Sequence, residues 1–482
     1  MTILAIDVGS SSVRAVLFEQ RSEGVRLIPD AIIQKPYQFD TDNTGKATIN
    51  PLYLRELVES CIDDILQHKD AQTITAVGMD SFVGNIIALD KKENPLSDVD
   101  TYADTRSAPF IDSLEQSMDT EAYHQRTGAL INTAYYLPKL QFYAQELAHI
   151  STFTDFATYC YRQWFGKTIP MSYSVASWSG VLNRETLLWD EPSLSHSVYS
   201  QDNFPDLADY QQFQQGLIDI YAQRWRALAE TPFYLAIGDG AAAQVGSGAI
   251  ADNTATLTIG TTAAIRKISR EKLPSVPQGC WSYRIDADHH LIGGALSEGG
   301  NVFAWAKNTL QLDGLDIETE LKKIKPAQHG LTILPLLNGE RSPGWRGDAT
   351  ATIHGLRMNT KPIEILYALL ESVALRLAII AEQLQLGQAV KLMASGGALH
   401  HSPVWAQILA DALGRPLYVL DEAQVTALGV AQLVYCAKQK QALSGASPKI
   451  FKVYQPNSDY TKQYKDLIER QNTLYKLTEN LS

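Results

Sequence analysis

The sequence predicts an α/β protein built from two related domains with a cleft between them. Two observations support this prediction. A hairpin pattern in residues 3–18 is repeated in residues 254–268, about half a chain further on. Short apolar runs also alternate with helical patterns after each hairpin, as in layered α/β domains. The 482 residues are enough for two large domains. We expect the division at 1–245 and 246–482.

The first hairpin consists of two apolar runs, Ile3–Val8 and Val13–Phe18, with a turn of small residues between them. We expect a long loop in which glycine adopts a positive φ and the backbone N–H groups face an anion. The turn residues are Gly9, Ser10, Ser11 and Ser12. Asp7 ends the first run, and a carboxylate beside phosphates requires a cation between them. The pattern therefore predicts a nucleotide with Mg²⁺ near Asp7.

The second hairpin repeats this plan in Thr254–Ile268. An apolar strand is followed by a glycine with two small hydroxyl residues and then by another apolar strand. The loop residues are Gly260, Thr261 and Thr262. Two such loops, one from each domain, are suited to holding the phosphates of one nucleotide in a shared cleft.

Composition excludes several classes of partner. The net charge is −12 and no basic run is longer than a pair, which argues against nucleic acid. No apolar run approaches 18 residues, so we expect no membrane span, and the N-terminus lacks a signal-peptide pattern. The four cysteines are scattered, without zinc or disulfide spacing, which favours a reducing cytoplasm. Oligomeric state stays open, with a homodimer as one option.

Between the hairpins, a helix is predicted to begin at Asn50, the N-cap, with Pro51 in its first turn. Two strands follow at 75–79 and 86–89. Further on, the apolar run Leu235–Ile237 ends in the turn Gly238-Asp239-Gly240. Small neighbours let a substrate approach closely, and a carboxylate in a closed cleft can accept the proton of an alcohol during phosphorylation. Asp239 is therefore the candidate general base.

These motifs resemble those of the FGGY carbohydrate kinases, within the actin–hexokinase–Hsp70 superfamily. The resemblance rests on Asp7–Arg14 and Ile259–Ala264, which are similar to the family's two phosphate loops, and on the Gly-rich segment around Asp239. It extends over most of the chain. It implies two ribonuclease-H-like domains, Mg·ATP as cosubstrate, and Asp239 as the general base.

The resemblance also implies an acceptor site before residue 110. Val77–Asp90 takes the place of the family's first substrate segment, which makes Asp80, Ser81 and Asn85 candidates. Thr101–Arg106 resembles the second segment, and its Tyr-Ala-Asp-Thr-Arg string is nearest to gluconokinases. Asp104 can accept hydrogen bonds from vicinal hydroxyls, and Arg106 offers a fork for a carboxylate. Phe82–Asn85 departs from the usual Ala-Met-His-Ser, which puts the acceptor in doubt.

In the second half, a strand ending in Gly396-Gly397 precedes a helix with Ser402 as N-cap and Pro403 next. The family uses this element for adenosine, so Gly396, Gly397 and Ser402 are predicted to line the ATP site. A long helix is predicted over Pro362–Gln385. Gly339–Trp345 resembles another family element, in which Arg341 either pairs with Glu340 or faces the cleft.

The sequence thus predicts an ATP-dependent sugar kinase with D-gluconate as the favoured acceptor. Two alternatives remain. One is a ketose or polyol kinase of the same family, of the xylulokinase, ribulokinase or glycerol kinase type. The other is an actin-like nucleotide-binding protein that polymerises or switches without phosphorylating a metabolite.

Overall fold

The computed structural model describes residues 1–478, and two seven-stranded sheets organise it. In the first sheet the hairpin strands lie beside a parallel strand, Ile74–Ser81, which also pairs with two short strands before Asp239. Its strands in chain order are Thr2–Gly9, Ser12–Arg21, Gly24–Pro36, Ile74–Ser81, Phe213–Gln214, Phe233–Tyr234 and Ile237–Gly238.

The second sheet repeats this core. The hairpin strand Thr254–Ile259 pairs antiparallel with Ala263–Ser269 and parallel with Lys391–Ser395. The order across the sheet is Trp281–Arg284, His290–Leu296, Ala263–Ser269, Thr254–Ile259, Lys391–Ser395, Leu417–Leu420 and Ile450–Tyr454. The predicted fold class, two α/β domains with equivalent hairpins, is confirmed.

The hairpin turns differ from the predicted geometry. Gly9 pairs with Ser12, so the first turn contains only Ser10 and Ser11 and is shorter than expected. Neither Gly9 nor Gly260 has a positive φ. The expectation of positive φ was wrong: Gly9 is the last residue of its strand, and Gly260 begins the turn with its N–H bonded to the Thr262 carbonyl.

Small sheets and helices surround the two large sheets. The shorter strands are Asp40–Thr41, Ala47–Ile49, Ile87–Leu89, Val99–Asp100, Thr152–Thr154, Met171–Ser172, Leu207–Ala208, Thr332–Leu334 and Thr352–His354. The α-helices are Pro51–Ile65, Ile111–Ser117, Thr120–Thr127, Tyr136–Glu146, Phe156–Phe165, Tyr173–Ala176, Glu191–Leu194, Asp219–Arg224, Asp239–Gly246, Gly300–Thr309, Ile317–Leu321, Pro362–Gln383, Gly397–His401, Pro403–Leu413, Val425–Gln439 and Ser458–Thr478.

Several predicted helix ends are confirmed. The Asn50 side chain accepts hydrogen bonds from the backbone N–H groups of Leu52 and Tyr53, both at 3.0 Å. Ser402 caps its helix through the N–H of Trp405 at 3.2 Å, and Gly414 ends that helix with φ of 61°. The long helix begins at Pro362 as predicted and ends at Gln383, two residues early.

The domains are not separate in sequence. The helix Val425–Gln439, from the C-terminal part of the chain, packs with Asp239–Gly246 in the core of the first sheet. At this contact Gly246 and Gly429 face each other so closely that a Cβ on either would overlap backbone atoms. The predicted division at 245/246 lies between the two sheets and stays a prediction. Within residues 1–478, no helix has the length and apolar character needed to span a bilayer.

Candidate active site

A cavity of about 190 Å³ lies between the two sheets, at the hairpin turns. Its walls come from both halves of the chain. The lining residues are Ser10, Val83, Gly84, Tyr102, Ala134, Tyr135, Trp178, Asp239, Gly240, Thr262, Ala264, Arg266, Trp281, Tyr283, Ala295 and Arg341. Pockets for drug-sized ligands typically enclose about 300–1,000 Å³. This smaller space suits a compact acceptor next to the phosphate loops.

Asp239 lies in this cavity at the first position of the helix Asp239–Gly246. Its Oδ1 accepts a hydrogen bond from the Gly240 N–H at 2.7 Å. Burial raises the pKa of Asp239 to about 6, although the charge of Arg266 opposes the increase. Gly238 and Gly240 are needed for close packing, since a Cβ on either would lie 2.8 Å from Trp178. Asp239 is therefore a partly buried carboxylate, poised to titrate near neutral pH.

Two further carboxylates lie beside it on the first sheet. Asp7 and Asp80 occupy paired positions on parallel strands, and both are buried. Asp7 forms an ion pair with Arg14 at 2.7 Å, whereas within residues 1–478 the carboxyl of Asp80 has no hydrogen-bond partner other than the carboxyl of Asp7. Burial, followed by the charges of Asp7 and Asp239, raises the pKa of Asp80 well above its ordinary value.

This arrangement fits a magnesium ion that arrives with a nucleotide. Carboxylate oxygens are suitable ligands, and Mg²⁺ is commonly held by one or two carboxylates together with substrate phosphates. Residues 1–478 contain no group of three or more His, Cys, Asp or Glu side chains placed to hold a metal on their own. Asp7 therefore remains the predicted magnesium residue, and Asp80 lies close enough to contribute.

The two predicted phosphate loops meet at the cavity through Ser10 and Thr262. In the first loop the Gly9 carbonyl accepts a hydrogen bond from the Tyr37 hydroxyl at 2.5 Å, and Ser12 Oγ accepts one from Gln34 at 3.2 Å. Ser10 and Ser11 are exposed. Gly260 and Thr261 are also exposed, which leaves both turns accessible to a ligand.

The predicted adenosine element adjoins the second loop. Gly396 has φ of 121°, and a Cβ there would overlap the carbonyl of Ile259. Nothing lies within 4 Å of a Cβ built on Gly397, so space is open there. Ser402 is buried, and its hydroxyl donates a hydrogen bond to Glu318 while capping its helix. Its predicted contact with ATP stays a prediction.

The predicted acceptor residues before residue 90 lie behind the cavity. Ser81 and Asn85 are buried and do not line it. Asn85 accepts a hydrogen bond from the Phe156 N–H at 2.7 Å and donates one to the Phe82 carbonyl. This segment reaches the cavity through Val83 and Gly84 instead.

Asp104 and Arg106 bind each other. Arg106 Nε donates to Asp104 Oδ2 at 2.9 Å, and its Nη2 donates to Asp100 at 2.7 Å. The guanidinium carbon lies 4.9 Å from the centre of the Phe142 ring. Asp104 also accepts a hydrogen bond from the Ala47 N–H at 2.9 Å. Neither side chain lines the cavity; Tyr102 from the same segment does.

Sequence reasoning missed most of the cavity wall. Trp178, Trp281 and Tyr283 form an aromatic stack in which Trp178 and Tyr283 have ring centres 3.7 Å apart. Arg266 projects from the strand Ala263–Ser269, where its charge within an apolar run was an available signal. For Arg341, left open between Glu340 and the cleft, the structure shows the cleft position.

Comparison with known proteins agrees with this geometry. The FGGY family of carbohydrate kinases, N-terminal domain, matches residues 2–246, and the C-terminal domain of the same family matches residues 255–437. A gluconokinase of Bacillus subtilis (strain 168) is 26% identical, with 99% of this chain and 96% of the relative covered.

Two solved structures share the fold over nearly the whole chain. The gluconate kinase from Lactobacillus acidophilus has a TM-score of 0.91 at 23% identity, covering 99% of this chain and 98% of the other. A ligand-bound xylulose kinase from Lactobacillus acidophilus has the same TM-score and coverage at 24% identity. The fold is therefore common to kinases with acidic and with neutral acceptors.

Proposed function

The chain belongs to the FGGY family of carbohydrate kinases, and from this premise we propose that it phosphorylates D-gluconate with ATP and Mg²⁺. The chain is a sugar kinase that uses ATP, as the two family matches show. The choice of gluconate is the proposal. It is supported by the gluconokinase of Bacillus subtilis among its relatives and by the charge of the cavity.

One observation carries the catalytic part of the proposal. Among residues 1–478, Asp239 is the one carboxylate that lines the cavity, and the predicted phosphate loops reach the same space. With a pKa of about 6 it is deprotonated at neutral pH yet basic enough to accept a proton. A general base needs this combination of position and pKa.

The proposed roles follow from the geometry. Asp239 accepts the proton of the acceptor hydroxyl as that oxygen bonds to phosphorus. The turns at Ser10–Ser11 and Thr261–Thr262 bind the phosphates through backbone N–H groups, whereas the Gly260 N–H donates to the Thr262 carbonyl at 2.9 Å within its own turn. The aromatic stack excludes water from the acceptor, which limits ATP hydrolysis.

Mg²⁺ would be held near Asp7 and Asp80, where it would neutralise phosphate charge. Asp80 supplies the supporting observation, because within residues 1–478 its buried carboxyl has no polar partner beyond the carboxyl of Asp7. We also place the enzyme in the cytoplasm, since its four cysteines are free and buried.

The test is an ADP-release assay over sugar acids, ketoses and polyols with Mg·ATP. We expect gluconate to give the highest kcat/KM. Faster phosphorylation of xylulose, ribulose or glycerol would overturn gluconate and leave the sugar kinase assignment intact. Nucleotide-dependent light scattering without ADP release from any acceptor would favour the actin-like alternative.

A further inference from the structure

The cavity contains more positive than negative charge. Arg266 and Arg341 both line it, and neither forms an ion pair with any carboxylate in residues 1–478. Asp239 is the one acidic residue among the lining side chains. Counted over the lining side chains alone, two guanidinium groups and one carboxylate leave an excess of one positive charge; Asp7 and Asp80 on the first sheet do not belong to this lining. Such a lining favours an anionic ligand.

The neighbouring residue, Glu340, does not form an ion pair with Arg341 because it has other partners. Glu340 is buried and pairs with Arg376, and it also accepts a hydrogen bond from the Tyr475 hydroxyl at 2.5 Å. On the other side of Arg341, the Ser342 N–H donates to the Ala295 carbonyl at 2.9 Å. The loop is therefore anchored at both sides of Arg341, while no acidic side chain of the described residues 1–478 forms an ion pair with its guanidinium.

Arg266 interacts electrostatically with both Asp239 and Arg341. Burial lowers the pKa of Arg266, and the charge of Arg341 lowers it further, while Asp239 acts in the opposite direction. Its Nη1 donates to Thr258 Oγ1 at 3.3 Å, and its Nε is shielded from solvent and has no hydrogen-bond partner.

Among the residues that line the cavity, the buried polar atoms without a hydrogen-bond partner in residues 1–478 are all donors. They are Arg266 Nε and the indole Nε1 atoms of Trp178 and Trp281, two side chains that are 7% and 1% exposed. A buried donor without a partner costs free energy that a ligand acceptor can recover. These atoms therefore favour a ligand rich in oxygen acceptors.

Arg106, unlike Arg266 and Arg341, has carboxylate partners among the described residues. Its guanidinium already binds two buried carboxylates, Asp100 and Asp104, and lies over an aromatic ring. The charge of Arg106 is therefore already compensated inside the protein, whereas those of Arg266 and Arg341 are not paired with a carboxylate in residues 1–478. The sequence resemblance suggested that Arg106 binds a carboxylate. The arginines that line the cavity are better placed for that function.

We propose that Arg341, supported by Arg266, forms the subsite that binds the carboxylate of a sugar acid acceptor. This inference rests on the proposed function. The acceptor extends from Arg341 past Arg266, so that one of its hydroxyls reaches Asp239. A charge-assisted contact of this kind is typically worth about a 10- to 100-fold change in affinity. The subsite distinguishes a sugar acid from the corresponding alditol.

The test compares D-gluconate with D-glucitol, which has the same carbon chain and no carboxylate, in the full-length enzyme. For Arg341→Gln we expect the KM for gluconate to rise about 10- to 100-fold while the KM for ATP changes less than about threefold. The preference for gluconate over glucitol should fall by the same factor. Arg341→Lys should recover part of the loss, because it keeps the charge without the fork.

Arg270→Gln is the control. It removes an arginine from an exposed position just after Ala263–Ser269, the strand that carries Arg266. Thermal unfolding of each variant shows whether it is folded, and Arg341→Lys replaces Arg341→Gln if the latter is not. A KM for gluconate within about threefold of the control, or an equal rise in the KM for ATP, would overturn the subsite. If the parent enzyme phosphorylates neutral sugars and no sugar acid, both the gluconate proposal and the carboxylate subsite are wrong.

Discussion

The two sides of the cleft carry opposite charge, and they differ in how that charge is compensated. The acidic side consists of Asp7, Asp80 and Asp239 on the first sheet and the helix that follows it. The basic side consists of Arg266 and Arg341 from the second half of the chain. Within residues 1–478, one of the three carboxylates on the acidic side has an ion-pair partner, whereas neither guanidinium on the basic side has one.

This difference indicates which kind of ligand each side of the cleft favours. Burial penalises a charged group unless it is paired, so uncompensated charge in a cleft indicates a missing ligand of opposite sign. The acidic side favours a cation and the proton of an alcohol. The basic side favours the oxygen atoms of an anion. Closing the two sides over Mg·ATP and a sugar acid would compensate both.

We expect the largest effect on turnover when Asp239, the proposed general base on the acidic side, loses its charge. Asp239→Asn should lower kcat about 10²- to 10⁴-fold, because the hydroxyl proton then has no acceptor, while ATP binding stays close to normal. ADP release and nucleotide titration would measure the two quantities. Asp252→Asn, at an exposed position, is the control. Turnover within about threefold of the parent would remove Asp239 from the mechanism.

A second prediction tests whether both sides hold the same nucleotide. Gly9→Val and Gly260→Val should each raise the KM for ATP about tenfold or more, with little effect on the acceptor. The nearest atoms to an added Cβ are 3.6 Å away at Gly9 and 3.9 Å away at Gly260, so the fold has room for it. The side chain would instead fill the space above the turn.

Gly387→Val provides the control for this pair, since nothing lies within 4 Å of its Cβ position. Measured KM values for ATP and for the acceptor would decide the matter. Loss of acceptor affinity alone in either loop variant would show that the loop does not bind phosphate.

A third prediction sharpens the contrast between paired and unpaired arginines. Arg106→Gln removes the partner of two buried carboxylates, and we expect a loss of roughly 1–3 kcal/mol in the free energy of unfolding. Arg341→Gln leaves no carboxylate unpaired and should change it by about 0.5 kcal/mol or less. Urea unfolding compares the two. Equal destabilisation would mean that Arg341 has a structural function.

Local patterns predicted much of this architecture. The two hairpins, the helix caps at Asn50 and Ser402, and the position of Asp239 after a short strand all depend on residues close in sequence. The two-residue first turn was missed because the small residues Gly9 and Ser12 extend the strands and only Ser10 and Ser11 form the turn.

The cavity wall depends on contacts that no local pattern reveals. Trp178 and Tyr283 stack although they are 105 residues apart in the sequence numbering. Arg341 faces the cleft because Glu340 binds Arg376 and Tyr475, which come from two different helices. Similarly, the Tyr-Ala-Asp-Thr-Arg string does not reveal that Arg106 forms an ion pair with Asp100.

The last prediction concerns the coupling between the two sides. Because Asp239 must be deprotonated to accept a proton, kcat/KM should fall as the pH drops through its pKa of about 6 and level off above it. The charge of Arg266 holds that pKa down against burial. In Arg266→Gln the apparent pKa should therefore move upward, since an opposite charge nearby favours the ionised carboxylate. The pH–rate profile of each variant measures it, with Arg270→Gln as control. An unchanged or lower apparent pKa in Arg266→Gln would show that the basic side does not act on the general base.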